Sequence, residues 1–116
     1  HKMEKEDFSI SQASLKLIEK AKLNKARIFA VGTTSLRTLE TLASTGIKEG
    51  ATDLFIYPGY KFRMTNCLLT NFHLPRTTLF MLVCAFAGAE LIKKAYQEAI
   101  DKKYRFYSYG DAMLIL

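Results

Sequence analysis

Arg27 to Thr45 reads "RIFAVGTTSLRTLETLAST", and this stretch decides the fold. Arg27 to Gly32 is a short β-branched and apolar run closed by a glycine, the pattern of a strand buried on both faces. From Thr33 onward, Leu36, Leu39 and Leu42 recur at helical spacing, so the order is strand, glycine turn, helix. Together with a helix upstream, this tempo predicts an α/β layer.

Working outward, Ser11 is a good N-cap for a helix over Gln12 to Leu23, with Leu15, Leu17, Ile18 and Ala21 on one side and Lys16, Glu19 and Lys20 on the other. Residues ahead of it read as a polar lead-in. Downstream, Gly46 to Gly50 reads as a polar loop, and Asp53 to Tyr57 as a second strand stopped by Pro58-Gly59. Lys61 to Asn66 alternates loosely as an arm, and Cys67 to Asn71 is a third strand. Thr77 or Thr78 caps a helix through Ala87, and Gly88 permits a bend. Glu90 to Lys103 then forms a helix with Leu91, Ile92, Ala95 and Ala99 inward and Lys93 and Lys94 outward. "YRFYSYG" and "AMLIL" read as strands around a Gly-Asp turn.

The 116 residues are 49% hydrophobic and 24% charged, the balance of one globular unit without disordered or fibrous bias. Seventeen Lys and Arg against eleven Asp and Glu leave +6, which suits a polyanion, an anionic small molecule or simply a basic solvated surface. Cys67 and Cys84 lie in apolar surroundings without a CxxC spacing, so they read as buried thiols in a reducing compartment, and no metal is implied. Thr77 to Ala89 is too short an apolar stretch to span a bilayer, and nothing at the start resembles a signal peptide. A soluble, cytoplasmic protein with no membrane partner is the expectation. The chain opens on His1 and stops on the apolar run Met113 to Leu116, so both ends read as cut.

Four junctions share one design, in which a strand ends and small polar residues follow: "GTTSLR", "YPG", "TNFHLP" and "SYGDAM". In α/β sheets the carboxyl ends of parallel strands form the crevice where ligands bind, so these corners point to one shared site. Gly32 allows the tight turn, Thr33, Thr34 and Ser35 offer hydroxyls and free N–H groups at a helix start, and Arg37 sits in its first turn, a set suited to a carboxylate or phosphate. The plain alternative is N-capping, with Arg37 in a surface ion pair. The stretch has neither the P-loop nor the dinucleotide fingerprint.

Asn71 and His73 stand on a rigid corner before Pro75. The imidazole suits a general base or a donor to a ligand, and equally a histidine satisfied by its own loop. Asp111 is a candidate acceptor for a ribose hydroxyl or a proton, or a turn residue bonded to neighbouring N–H groups. Tyr57 and Tyr109 are candidates to stack on a base. From the residues alone, a small-ligand α/β enzyme ranks first and a non-catalytic RNA-binding module of α/β type second.

Four stretches in order, "RIFAVGTTSLRTLE", "TDLFIYPGYKF", "LLTNFHLPRTTLFMLVCAFAG" and "YRFYSYGDAMLIL", together resemble the C-terminal part of the S-adenosylmethionine:tRNA ribosyltransferase-isomerase family of queuosine biosynthesis. The opening "HKMEKEDF" is similar to that family's His-x-Met-[His/Glu]-x-Glu segment, with Glu4 where many members have His. The resemblance implies that residues 1–116 are the C-terminal part of an α/β domain with a mixed sheet flanked by helices, the upstream remainder and an inserted β-barrel-like domain lying outside this chain. It also implies transfer and isomerisation of the ribosyl group of S-adenosylmethionine onto 7-aminomethyl-7-deazaguanine at the tRNA wobble position, giving epoxyqueuosine, adenine and methionine. S-adenosylmethionine would be a co-substrate, with no tightly bound cofactor, and a monomer is expected. Such a route begins by removing a proton beside the sulfonium, with His73 and Asp111 as candidates in catalysis. Gly32 to Ser35 with Arg37 would hold the methionine carboxylate, Asn71 would face the ligand, and Tyr57 or Tyr109 would stack on adenine or the modified base. Lys61, Arg63, Arg76 and Arg105 are candidates for tRNA phosphates.

Overall fold

The computed structural model describes residues 5–75, 77–106 and 110–116. Its elements are β1 (Glu6–Ser9), α1 (Gln12–Leu23), β2 (Phe29–Val31), α2 (Thr33–Thr45), β3 (Glu49–Thr52), β4 (Cys67–Asn71), α3 (Thr78–Ala87), α4 (Ala89–Asp101) and β5 (Ala112–Ile115). The helix limits follow from local chemistry. Ser11 accepts from the Ser14 N–H at the head of α1, and Thr77 accepts from the Phe80 N–H at the head of α3. Gly46 closes α2 in the left-handed conformation, its N–H donating to the Leu42 carbonyl at 2.8 Å. Gly88 ends α3 and opens α4.

Two sheets result. β2 and β4 pair in parallel, and β5 adds antiparallel to β4, so the three-stranded sheet is mixed, with β4 central. β1 and β3 form a separate antiparallel pair. The expected strand over Asp53 to Tyr57 is not one: that run is irregular, and the strand lies just upstream, in what reads as a polar loop. Glu-Gly-Ala-Thr has little strand propensity, but pairing with β1 supplies its ladder. The apolar run 53–57 instead plugs the core through Ile56, which is fully buried. Residues 104–106 are also irregular, and Phe106 stacks on Phe72 at 5.0 Å. Tyr107, Ser108, Tyr109, Arg76 and residues 1–4 lie outside the described residues.

Strand register divides the sheet into two faces. Ala30, Leu68 and Ile115 are aligned across the three strands on the face that packs against Leu82, Val83, Ile92 and Tyr96 of α3 and α4. The next row, Val31, Leu69 and Leu114, faces the other way, with Val31 66% and Leu114 56% exposed. Within this chain β2 is therefore buried on one face, not two, since the helices of the core clad a single side. Leu17 of α1 and Leu91 of α4, both expected inward, are exposed. Cys67 and Cys84 are buried free thiols, as their apolar setting predicts.

Candidate active site

Because β2 and β4 are parallel, both carboxyl ends arrive at one edge, and the antiparallel β5 brings its amino end there too. A cavity of about 250 Å³ opens at that edge, lined by Val31, Gly32, Leu69, Thr70, Asn71 and Ala112. The Gly32 N–H donates to the Leu69 carbonyl at 2.8 Å, which seats the head of α2 against the end of β4. Across the mouth, the Asn71 side-chain amide donates to the main-chain carbonyl of Asp111 at 3.2 Å. Three sequence-distant corners, at Gly32, Asn71 and Asp111, thus meet.

Adjacent strand residues point to opposite faces, so Thr70 and Asn71 part company. Asn71 belongs to the open face and the cavity. Thr70 is buried on the helix side, and its hydroxyl lies 2.9 Å from Nε2 of His73. The His73 main-chain N–H donates to the Tyr96 hydroxyl at 2.8 Å, tying the corner to α4. His73 is half-buried, and that burial holds its imidazole below the ordinary value of 6.5, in the neutral form. It stands beside the cavity, one hydrogen bond away through Thr70. The Asp111 carboxylate is turned to its own loop, where Oδ2 accepts from the Arg105 N–H at 2.5 Å and lies 3.8 Å from Arg105 Nε.

The other predicted residues are placed elsewhere. Thr34 and Ser35 line a second hollow of about 510 Å³ between β1, α1 and α2, floored by Phe8, Ile18 and Leu39. Thr33 is the first residue of α2. Arg37 is buried: its guanidinium pairs with the Glu6 carboxylate and donates to the Thr52 and Leu54 carbonyls, each at 3.2 Å. Thr34 donates to the same carboxylate at 2.9 Å, so the anion held by Thr34 and Arg37 is one that the chain supplies. The pair is buried at its arginine, not a surface one. Tyr57 is an exposed loop residue set edge-on to Phe55, and it lines neither hollow. Tyr109 lies outside the described residues.

Sequence reasoning passed over Thr70, Tyr96, Glu6 and Glu40. Glu40 is wholly buried and accepts the N–H groups of Arg63, Met64 and Thr65 at 2.8, 3.1 and 2.9 Å, with the Tyr60 hydroxyl at 3.3 Å. Burial and the neighbouring Glu40 carboxylate push the Tyr60 phenol up to about 12. The available signals were a hydroxyl three residues before His73, and an acidic residue on the Leu36 to Leu42 side of the helix. Among the described residues no cluster of three or more His, Cys, Asp or Glu could hold a metal ion, and no helix is long and apolar enough to cross a membrane.

Fold and cleft together define a mixed α/β unit whose crevice lies at the carboxyl ends of its parallel strands. The chain belongs to the queuosine biosynthesis protein family, whose model matches residues 1–115. It is 59% identical over 115 residues to the S-adenosylmethionine:tRNA ribosyltransferase-isomerase of Polynucleobacter necessarius, covering 99% of this chain and 33% of that protein. The protein of the same name from a Sulfurihydrogenibium species is 54% identical over 116 residues, covering all of this chain and 34% of its own length. The crystal structure of S-adenosylmethionine tRNA ribosyltransferase from Thermotoga maritima superposes with a TM-score of 0.88 at 49% identity, over 92% of this chain and 39% of that one. The chain spans about a third of the length of the curated relatives it matches.

Proposed function

We propose that the chain works as part of an enzyme that transfers and isomerises the ribosyl group of S-adenosylmethionine onto 7-aminomethyl-7-deazaguanine at the wobble position of tRNA, forming epoxyqueuosine and releasing adenine and methionine. The observation that carries this reading is the family match over residues 1–115, with relatives that bear this enzyme's name. S-adenosylmethionine is then a co-substrate, the tRNA the acceptor, and the cytoplasm the place of action for a monomer.

Within that reading the strand-end cavity takes part of S-adenosylmethionine. Gly32 lets the ligand approach the backbone, and Asn71, already oriented by the Asp111 carbonyl, donates to it. Neutral His73 is the candidate base for the proton beside the sulfonium, because burial favours the unprotonated ring that a base must present. Asp111 holds the Arg105 main chain beside the cavity, and Tyr57 and Tyr109 are the candidate stacking residues. Thr33, Thr34 and Ser35 shape the head of α2, while Arg37 acts at one remove by fixing Glu6. Exposed Lys61, Arg63 and Arg105 supply positive charge for tRNA phosphates.

The test is release of adenine from S-adenosylmethionine by the full-length polypeptide, with and without tRNA bearing the deazaguanine. Release that depends on that tRNA, and that falls roughly 10²- to 10⁴-fold in His73→Gln, is the expected result. Binding of the tRNA with no adenine release would favour a non-catalytic RNA-binding module. Normal turnover in His73→Gln would remove the base assignment.

A further inference from the structure

The hydroxyl of Thr70 has two partners, the Asn71 main-chain carbonyl at 3.2 Å and His73 Nε2 at 2.9 Å. A carbonyl oxygen has no proton to give, and a hydroxyl has only one. When that proton is donated to the Asn71 carbonyl, the Thr70 oxygen meets the imidazole through its lone pairs. The hydrogen of the second bond must then reside on the ring. We propose that Thr70 is a positioning residue that fixes His73 as its Nε2–H tautomer, leaving Nδ1 as the basic nitrogen of the ring.

The surroundings make this assignment rigid. Thr70 is buried on the central strand, and its hydroxyl is engaged by two groups within three residues of it. The His73 backbone is held by the Tyr96 hydroxyl, and the Tyr96 ring packs edge-on against Phe72 at 5.2 Å and Phe80 at 4.9 Å. Among the described residues Nδ1 has no hydrogen-bond partner. A substrate proton taken by this histidine would therefore arrive at the ring edge away from Thr70. That catalytic consequence rests on the reading of His73 as base; the tautomer itself does not.

The experiment is a long-range proton–nitrogen correlation spectrum of the full-length protein labelled with ¹⁵N-histidine, with His73 assigned from the signals missing in His73→Gln. The expected pattern is a protonated Nε2 and a bare Nδ1 in the wild type. Thr70→Val should shift His73 towards a mixture of tautomers and lower kcat roughly five- to tenfold at unchanged KM for S-adenosylmethionine, about the value of one neutral hydrogen bond. Thr70→Ser should restore both. A proton on Nδ1 in the wild type overturns the proposal even if Thr70→Val fails to fold, and so does a Thr70→Val spectrum identical to the wild type. If the spectra are as expected while His73→Gln turns over normally, the tautomer assignment is supported and the base role falls.

Discussion

The buried guanidinium of Arg37 is closed on the carboxylate of Glu6, and this pair fastens β1 to the second turn of α2. Removing one partner leaves the other charge less well compensated, which for a pair with a part-exposed carboxylate costs about 1 to 3 kcal/mol. Glu6→Gln should accordingly lower stability by about that amount in urea unfolding, and Arg37→Lys should do much the same, because an ammonium cannot serve a carboxylate and two carbonyls in the guanidinium's fork geometry. The double variant Glu6→Gln/Arg37→Met should cost less than the sum of its singles. A Glu6→Gln chain within about 0.5 kcal/mol of wild type would show that the pair is dispensable.

Glu40 gathers three successive backbone N–H groups at 63–65 with its two oxygens. Replacing one oxygen with an amide nitrogen points N–H at N–H. Glu40→Gln should therefore lose about 2 to 4 kcal/mol and strip hydrogen-exchange protection from the Arg63, Met64 and Thr65 amides, while amides of α4 lose only what global destabilisation dictates. Unchanged protection at 63–65 would mean that the loop is held by other contacts.

Gly32 has φ +91° and ψ 154°, a conformation essentially closed to other residues, although an added Cβ would meet nothing within 4 Å. Gly32→Ala should cost about 1 to 3 kcal/mol through backbone strain alone. Gly46 has φ 75° and ψ 1°, which asparagine tolerates. Gly46→Asn should stay within about 1 kcal/mol of wild type, so thermal unfolding of the two variants separates conformational strain from mere loss of glycine.

Burial depresses the pKa of His73 below the 6.5 of a free imidazole. Between the folded and unfolded values the unfolded chain binds more protons, so this residue's contribution is fully present above about pH 6.5 and is lost as pH falls through the folded value. His73→Gln removes the titration. The stability difference between wild type and variant should thus be constant in neutral solution and move in the variant's favour on acidification, as urea titrations down to about pH 5 would reveal. A difference independent of pH would place the imidazole in water.

The elements legible in the sequence were those fixed by neighbours. Ser11, Thr77 and Gly46 terminate helices through bonds three or four residues away, and Cys67 to Asn71 is apolar enough to declare itself a strand. β1 and β3 were hidden because each is polar and finds its ladder 40 to 46 positions away. Asp53 to Tyr57 misled for the converse reason: it has strand-like composition but buries Ile56 without pairing. The meeting of the corners at Gly32, Asn71 and Asp111 was legible because polar corners after strands follow from α/β topology. The dependence of Arg37 on Glu6 was not, since nothing local marks a contact 31 positions apart.

β4 alternates its duties residue by residue: Leu68 and Thr70 serve the core and the imidazole, Leu69 and Asn71 the open side. Deleting one residue in the middle of Cys67 to Asn71 would slide the alternation of the residues beyond it by one and carry their side chains to the opposite face. A change of length in this strand should therefore cost more than a substitution, whereas the irregular stretch 53–66 has no such alternation to disturb.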